Sequence, residues 1–258
     1  MSVRRLDRAV RALALPWDPA ERPAVTAADL AGLPGPAQRY LRAMGVPGRP
    51  RPRSFRVRLR ARFRLRRTGG PLPCAAWQYN LADPVVRVFV MRLRVAGVVP
   101  MLGTDTYLGG HGRMRGTLLG LVPVAEGRGP EFDLGELATW VDDACLLAPG
   151  MLLTPAATWS PVDDSSFDVT VADSGLTVTV RLTVDELGRL LDVSTTDRYL
   201  ALPSGPVRAR WTTPVDGWEC VGGHLLPARA RAVWHLDDGD FCYVDGRFED
   251  LRLEVPPR

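Results

Sequence analysis

Glu136 and Asp143 have the clearest capacity for chemistry. They lie seven positions apart in a segment whose Leu134, Leu137, Val141 and Ala144 recur at helical spacing. That spacing puts both carboxyls on one helix face, about 10 Å apart along the axis. Paired carboxylates can serve as general acid and base. A structural reading stands beside this one: Glu136 completes an Asp133-x-x-Glu136 capping box, and Asp143 meets an arginine of a sheet. His235 is the third polar candidate. His111, His224 and His235 are widely separated and match no His-x-x-Glu-His pattern. Gly-x-Ser-x-Gly and Gly-x-x-x-x-Gly-Lys are both absent from the sequence. Cys74, Cys145, Cys220 and Cys242 form no Cys-x-x-Cys pair and have no histidine at zinc-ligand spacing. No residue is assigned as catalytic or metal-ligating, and no cofactor is expected.

A second set suits an apolar or amphipathic ligand. Trp77, Tyr79, Trp211 and Trp234 lie in strand-like stretches, and Trp140 lies in the helical one. Met101 and Leu102 end an apolar connection at 96–102, while Leu147 and Met151 belong to the apolar run 146–153 that follows the helix. Connections usually face water and are polar. Apolar ones suggest the mouth or lid of a cavity, or a plug at one end of a sheet. Aromatic side chains interleaved with arginine could also stack bases, although each taken singly reads as core.

The elements that must position these residues are strands. Arginine occupies every even position from Arg56 to Arg66, with Phe55, Val57, Leu59, Ala61, Phe63 and Leu65 between. Successive side chains of a strand point to opposite faces, so this stretch has one apolar and one cationic face. Similar stretches follow at 75–81, 85–95, 104–108 and 112–119, and further ones between 158 and 253. Arg92/Arg94, Arg113/Arg115, Arg208/Arg210 and Arg229/Arg231 repeat the doublet and place cations on a common face. Turns are expected at 69–71, 109–110, 173–175, 186–188, 221–223 and 238–239. The order is a meander of about ten strands without βαβ alternation, which excludes Rossmann and TIM architectures. Short helices precede it: an amphipathic one over 2–15, a brief one capped by Thr26 and Asp29, and one over 36–44 stopped by Gly45.

All 33 basic residues among the 258 are arginine, which leaves no lysine for Schiff-base or P-loop chemistry. Residues 1–67 hold 17 arginines against 4 acids, and the remainder holds 16 against 25. Two readings follow. The arginine ladder from Arg56 to Arg66 seeks an anionic surface, membrane or nucleic acid, or it pairs with acids of its own domain. No secretory signal and no run long enough to span a membrane is visible, so a cytoplasmic location with reduced thiols is expected, with peripheral membrane association as its variant. A Cys220–Cys242 bridge is left open.

The segment Leu33-Pro34-Gly35-Pro36-Ala37-Gln38-Arg39-Tyr40-Leu41, then Gly45-Val46, resembles the opening of an uncharacterised bacterial family. So do Trp77-Gln78-Tyr79, the stretch 116–124, the helix 135–143 and the run from Trp234 to Phe241. The sequence departs from that pattern at Thr139, where arginine is usual, and at Asp143, where glutamate is usual. The family carries no established activity. It is similar to the half-barrel of bacterial lipoprotein carriers, which implies a curved sheet around a lipid-binding cavity. The expectation is therefore one α+β domain, with N-terminal helices and a linker over 1–53 and an antiparallel half-barrel over 54–258. A helix partly closes that half-barrel. Its expected role is non-catalytic binding of an apolar or amphipathic small molecule in the concave face, with peripheral membrane contact and without nucleic acid as a partner. The alternatives are an enzyme using Glu136, Asp143 or His235, and an anionic-surface binder using the ladder.

Overall fold

The Thr26 cap acts where the sequence places it, and the arginine alternation forms a strand from Ser54 to Phe63. The structure, a computed structural model, describes residues 3–257 apart from 96, 203, 204, 222 and 223. Helices α1 (Val3–Arg11), α2 (Ala27–Leu30) and α3 (Gly35–Ala43) lead the chain. Thr26 and Asp29 close a reciprocal capping box on α2, and Gly45 follows α3 at φ 71°, a left-handed conformation that favours glycine. Six strands come next: β1 (Ser54–Phe63), β2 (Leu72–Leu81), β3 (Val86–Val95), β4 (Val99–Leu108), β5 (His111–Leu118) and β6 (Val122–Gly127). Helix α4 (Pro130–Leu147) and a 3₁₀ turn (Pro149–Leu152) separate them from β7 (Ala157–Pro161), β8 (Ser166–Asp173), β9 (Leu176–Val184) and β10 (Leu190–Thr195). The hairpin β11 (Tyr199–Leu202) and β12 (Gly205–Arg208) precedes β13 (Arg210–Thr212), β14 (Val215–Val221), β15 (His224–Leu236) and β16 (Gly239–Leu253). Sixteen strands thus stand where the patterning gives about ten. The extra ones are β6, β11 and β14, and the stretch holding the Arg208/Arg210 doublet divides into β12 and β13, which lie in different sheets.

Fourteen of these strands form one sheet in the order β6-β5-β4-β3-β2-β1-β16-β15-β13-β10-β9-β8-β7, with β14 attached to β15. The sheet is antiparallel, open and curved. Its curvature follows from α4, which packs on β3, β4 and β5 of one wing and on β9 and β10 of the other. The wings meet where Tyr107 donates a hydrogen bond to Asp173 at 2.6 Å. A Cβ on Gly110 would sit 2.8 Å from that of Ser174 at the same place. The sheet's near end, with the β2–β3 and β4–β5 turns, is closed this way. The far end carries the β1–β2, β3–β4 and β5–β6 turns.

Register fixes the two faces. Arg58, Trp77, Val90, Thr104 and Arg115 align across five strands on the outer face. Val57, Gln78, Phe89, Asp105 and Met114 align on the inner one. The main core joins Phe55, Val57 and Tyr107 to α3, α4 and the apolar faces of β8 and β9. Helix α1 lies on the outer face, burying Leu6 and Val10 against Tyr79, Leu81, Val86, Val88 and Val90.

Several local expectations change. The helix holding Glu136 begins at Pro130 with Gly129 as its N-cap, so Asp133 and Glu136 form no capping box. Proline suits the first turn because it lacks the N–H that would otherwise go unsatisfied there. Asp133 instead accepts from the Gly112 amide at 2.7 Å. The connection expected at 96–102 is mostly strand, since β4 begins at Val99; residue 96 lies outside the described residues. The run 146–153 is buried throughout, its Leu146 and Leu147 ending α4 and its centre forming the 3₁₀ turn. The amphipathic helix expected over 2–15 spans Val3–Arg11, and Ser2 is outside the described residues. Residues 222 and 223 of the expected 221–223 turn are likewise outside them. All four cysteines are free.

Candidate functional site

Helix α4 is enclosed by the sheet, so its charged residues must be answered from the strands. Arg87 of β3 supplies the answer. It projects inward at a position where its neighbours on that face, Phe89, Met91 and Leu93, are apolar. Its Nη1 meets Glu136 at 2.9 Å and its Nε meets Asp143 at 2.7 Å, with the arginine side chain only 6% exposed. Two turns of helix separate the carboxylates, and one guanidinium spans them. Burial works against the charge on Arg87, but Asp143, Glu136 and Asp105 together hold its pKa above the ordinary arginine value.

Two further carboxyls lie beside this cluster. Burial pushes Asp105 of β4 up to about 7, and Glu136 adds to that, while Arg87 and Arg198 oppose it. Burial also raises Asp142 well above its ordinary value, with Asp143 contributing, and its Oδ1 has no hydrogen-bond partner. Arg198 lies over the rings of Trp211 and Trp234, at 4.2 and 5.5 Å from their centroids. Trp211 donates to the Tyr243 hydroxyl at 3.2 Å, and Tyr243 meets Phe63 edge-on. The inner face of the far half is thus packed by its own side chains.

The candidates named from sequence are distributed over both faces. Glu136 and Asp143 come together on Arg87. His235 does not join them: it is on the other face of β15 from Trp234, bonded to Thr212 and Asp240. Trp211 and Trp234 form one cluster. Trp77 and Tyr79 lie on the outer face, Trp77 near the guanidiniums of Arg56 and Arg58 and Tyr79 donating to the Val255 carbonyl. Met101 packs inward with Met91 and Leu93, whereas Leu102 pairs with Arg92 and Thr117 on the outer face. Trp140 is buried and donates to the Leu81 carbonyl at 3.1 Å. Met151 is in the main core, and Leu147 borders a cavity.

That cavity, of about 220 Å³, sits at the near end between the segment following α3, the 3₁₀ turn and the ends of β15 and β16. Met44, Val46, Pro50, Pro52, Leu147, Leu226 and Leu253 give it an apolar lining; Arg49, His224 and Glu254 are its polar members. Burial lowers the His224 pKa and Arg49 adds to the effect, so the neutral ring is favoured beside the guanidinium. Arg49 and His224 carried no sequence signal as a pair, being 175 positions apart. Arg87 and Asp105 did carry one: each is a charge on the apolar side of an alternating strand.

On the outer face the ladder is partly neutralised. Arg56 pairs with Asp7 of α1 at 3.6 Å, and Arg58 and Arg60 share Glu249 at 3.7 and 3.0 Å. Among the described residues, no group of His, Cys, Asp or Glu is arranged to hold a metal ion, and no helix is long and apolar enough to cross a membrane.

A family model described as "Family of unknown function (DUF6544)" matches residues 23–246. No curated protein matches. Among solved structures, the chain is similar to a LolA superfamily protein from Nitrosomonas europaea, at 14% identity and TM-score 0.43 over 86% of this chain and 96% of that one. It is also similar to a putative outer membrane lipoprotein-sorting protein domain from Vibrio parahaemolyticus, at 11% identity and TM-score 0.41 over 78% and 86%. A DUF1329 family protein from Desulfovibrio piger follows at 13% and 0.40, over 85% and 92%.

Proposed function

We propose, taking as premise that the chain belongs to the family of unknown function DUF6544, that it binds the apolar part of an amphipathic small molecule without transforming it. The near-end cavity carries this reading. It is lined mainly by aliphatic side chains and proline, with Arg49 and neutral His224 as the groups able to meet a polar head. Its 220 Å³ is below the roughly 300–1,000 Å³ of sites that enclose a whole drug-sized ligand. It therefore takes a tail segment, with the rest of the ligand outside. The interior under α4 offers less support for a ligand, because the helix and inward side chains fill it. The acid–base reading of Glu136 and Asp143 also has less support: both are spent on Arg87, and the cavity beside Glu136 is about 40 Å³, room for water and not for a substrate.

The test is organic extraction of gently purified protein with mass spectrometry, followed by titration with a fluorescent fatty acid. The expected result is a bound amphiphile and saturable probe binding that Leu226→Trp abolishes by filling the cavity. Arg49→Gln should weaken a carboxylate amphiphile and leave the alcohol of equal chain length unaffected. An empty extract together with no saturable binding sinks the reading, as does a Leu226→Trp protein that binds like the wild type.

A further inference from the structure

The outer face holds a second feature, independent of the near-end cavity. A groove of about 400 Å³ is lined by three guanidiniums, Arg5, Arg113 and Arg115, and three hydroxyls, Thr104, Thr106 and Thr117. No carboxylate lines it. The register explains the set: Thr104 is opposite Arg115 and Thr106 opposite Arg113 on adjacent strands. Alternation then directs all four to one face, and α1 lays Arg5 across them. Arg5 donates to Thr104 at 3.3 Å, and its enclosed Nη1 has no hydrogen-bond partner. Arg113 and Arg115 are exposed and form no ion pair among the described residues. Glu126 is opposite Arg115 on β6 and makes no salt bridge with it. The neighbouring grooves differ. One includes Asp245, already bonded to Arg229, and another includes Arg58 and Arg60, already shared with Glu249. The second of these also holds Arg92 and Arg94 but no hydroxyl, whereas here three cations and three hydroxyls share one groove with no carboxylate in its lining.

Guanidiniums present planar pairs of donors that match phosphate oxygens, and hydroxyls add further donors. The groove exceeds what a bare phosphate needs, so it has room for the esterified group as well. It runs to Gly120 at the far end of the sheet. There the β5–β6 turn exposes Leu119, Leu121 (80%) and Val122, beside a β3–β4 turn that exposes Val98 (79%). The Leu119 amide bonds to the carbonyl of Pro100 at the start of β4, which ties the β5–β6 turn to the strand that leaves the β3–β4 turn. Large apolar side chains this exposed, clustered at loop tips beside cations, suit the interface of a bilayer whose headgroups are anionic. We propose that this groove is a phosphoryl site that docks the protein on anionic phospholipid, the headgroup phosphate held by Arg5, Arg113 and Arg115 while the tips at Val98 and Leu121 enter the acyl boundary.

The experiment is co-sedimentation of the full chain with phosphatidylcholine vesicles, with and without phosphatidylglycerol, alongside titration with glycerol phosphate in solution. Binding is expected only to the phosphatidylglycerol vesicles and should weaken as salt rises. The double variant Arg113→Gln/Arg115→Gln should bind about tenfold or more weakly, the scale of losing hydrogen bonds to a charged group. Val98→Ser/Leu121→Ser should lose vesicle binding while keeping glycerol phosphate binding. Both variants change exposed side chains, so thermal unfolding should match the wild type. The proposal is overturned if vesicle binding is absent, if the arginine variant binds vesicles undiminished, or if glycerol phosphate binds and vesicles do not.

Discussion

Replacing Arg87 by methionine tests whether the interior is organised by that one guanidinium. Methionine keeps the stem's apolar contacts and removes the charge. Glu136 and Asp143, at 2.9 and 2.7 Å from the guanidinium in the native protein, then lose their partner. Removing one member of a buried ion pair costs about 3–5 kcal/mol, because the surviving charge stays desolvated. Two carboxylates are stranded here, which argues for the upper part of that range. For a chain of this size each kcal/mol moves the thermal midpoint by about 2–4 °C, so a fall of about 6–20 °C is expected. Urea unfolding at neutral pH reads the same change as a lower midpoint at similar slope. The triple variant Arg87→Met/Glu136→Gln/Asp143→Asn should recover most of the loss, since no ionised group is then left buried by the change. An Arg87→Met protein within about 1 kcal/mol of wild type would refute the reasoning, since exposed pairs are worth that little. Failure of the triple variant to recover would refute the charge argument specifically and leave lost packing as the cause.

Two other outcomes are expected. Asp105 has its pKa raised to about 7 in the folded protein, against about 3.9 for an unfolded aspartate. Its neutral form is favoured by folding, so its contribution is present in full below about pH 3.9 and is lost as pH rises through about 7. Asp105→Asn should therefore gain stability relative to wild type between pH 5 and pH 8, measured by urea unfolding; a pH-independent difference would remove Asp105 from the account. Gly112→Ala would place a Cβ 2.4 Å from the Phe132 carbonyl oxygen, so α4 must shift. A loss of about 1–3 kcal/mol is expected, and an unchanged denaturation midpoint would show that the helix is not seated against β5 as described.

Much of this architecture was legible because strands with one wet face write their period into the sequence. The Arg56–Arg66 alternation, the doublets Arg92/Arg94 and Arg113/Arg115, and the cap at Thr26 each report a local constraint. The structure honours the doublets, the cap and the alternation as far as Phe63, beyond which β1 ends and Leu65 is exposed. The short strand β11 escaped because four residues hold barely two alternations. The Asp133-x-x-Glu136 box misled because Pro130 already starts the helix one turn earlier. Sites fared differently, since a site is a convergence of distant positions. Trp77 and Trp140 are both aromatic and both central, yet strand parity sends one to the outer face and the sheet encloses the other. The informative signal was an exception to the pattern: Arg87 and Asp105 are charges on the apolar side of their strands. Such a break has to be answered from an element packed against that face, and α4 supplies Glu136 and Asp143.

That arrangement bears on where a ligand can go. A helix resting on one face of a flat sheet needs a single apolar stripe. Helix α4 is buried almost all round, from Gly135 to Leu147, because both wings of the sheet contact it. Its acidic residues can therefore exist there only as neutral carboxyls, like Asp142, or as partners of a cation, like Glu136 and Asp143. A sheet closed on such a helix leaves little interior space, and a ligand entering would have to displace the helix and strand Arg87 among unpaired charges. The accessible concavities among the described residues are accordingly outside the enclosed interior: an apolar one at the near end and grooves on the outer face, of which the one beside Arg5 runs to the far end. Strand β1, ten residues long, spans about 33 Å between the two ends. The two sites cannot hold one small ligand at once, so occupancy of either should leave the affinity of the other unchanged unless α4 moves.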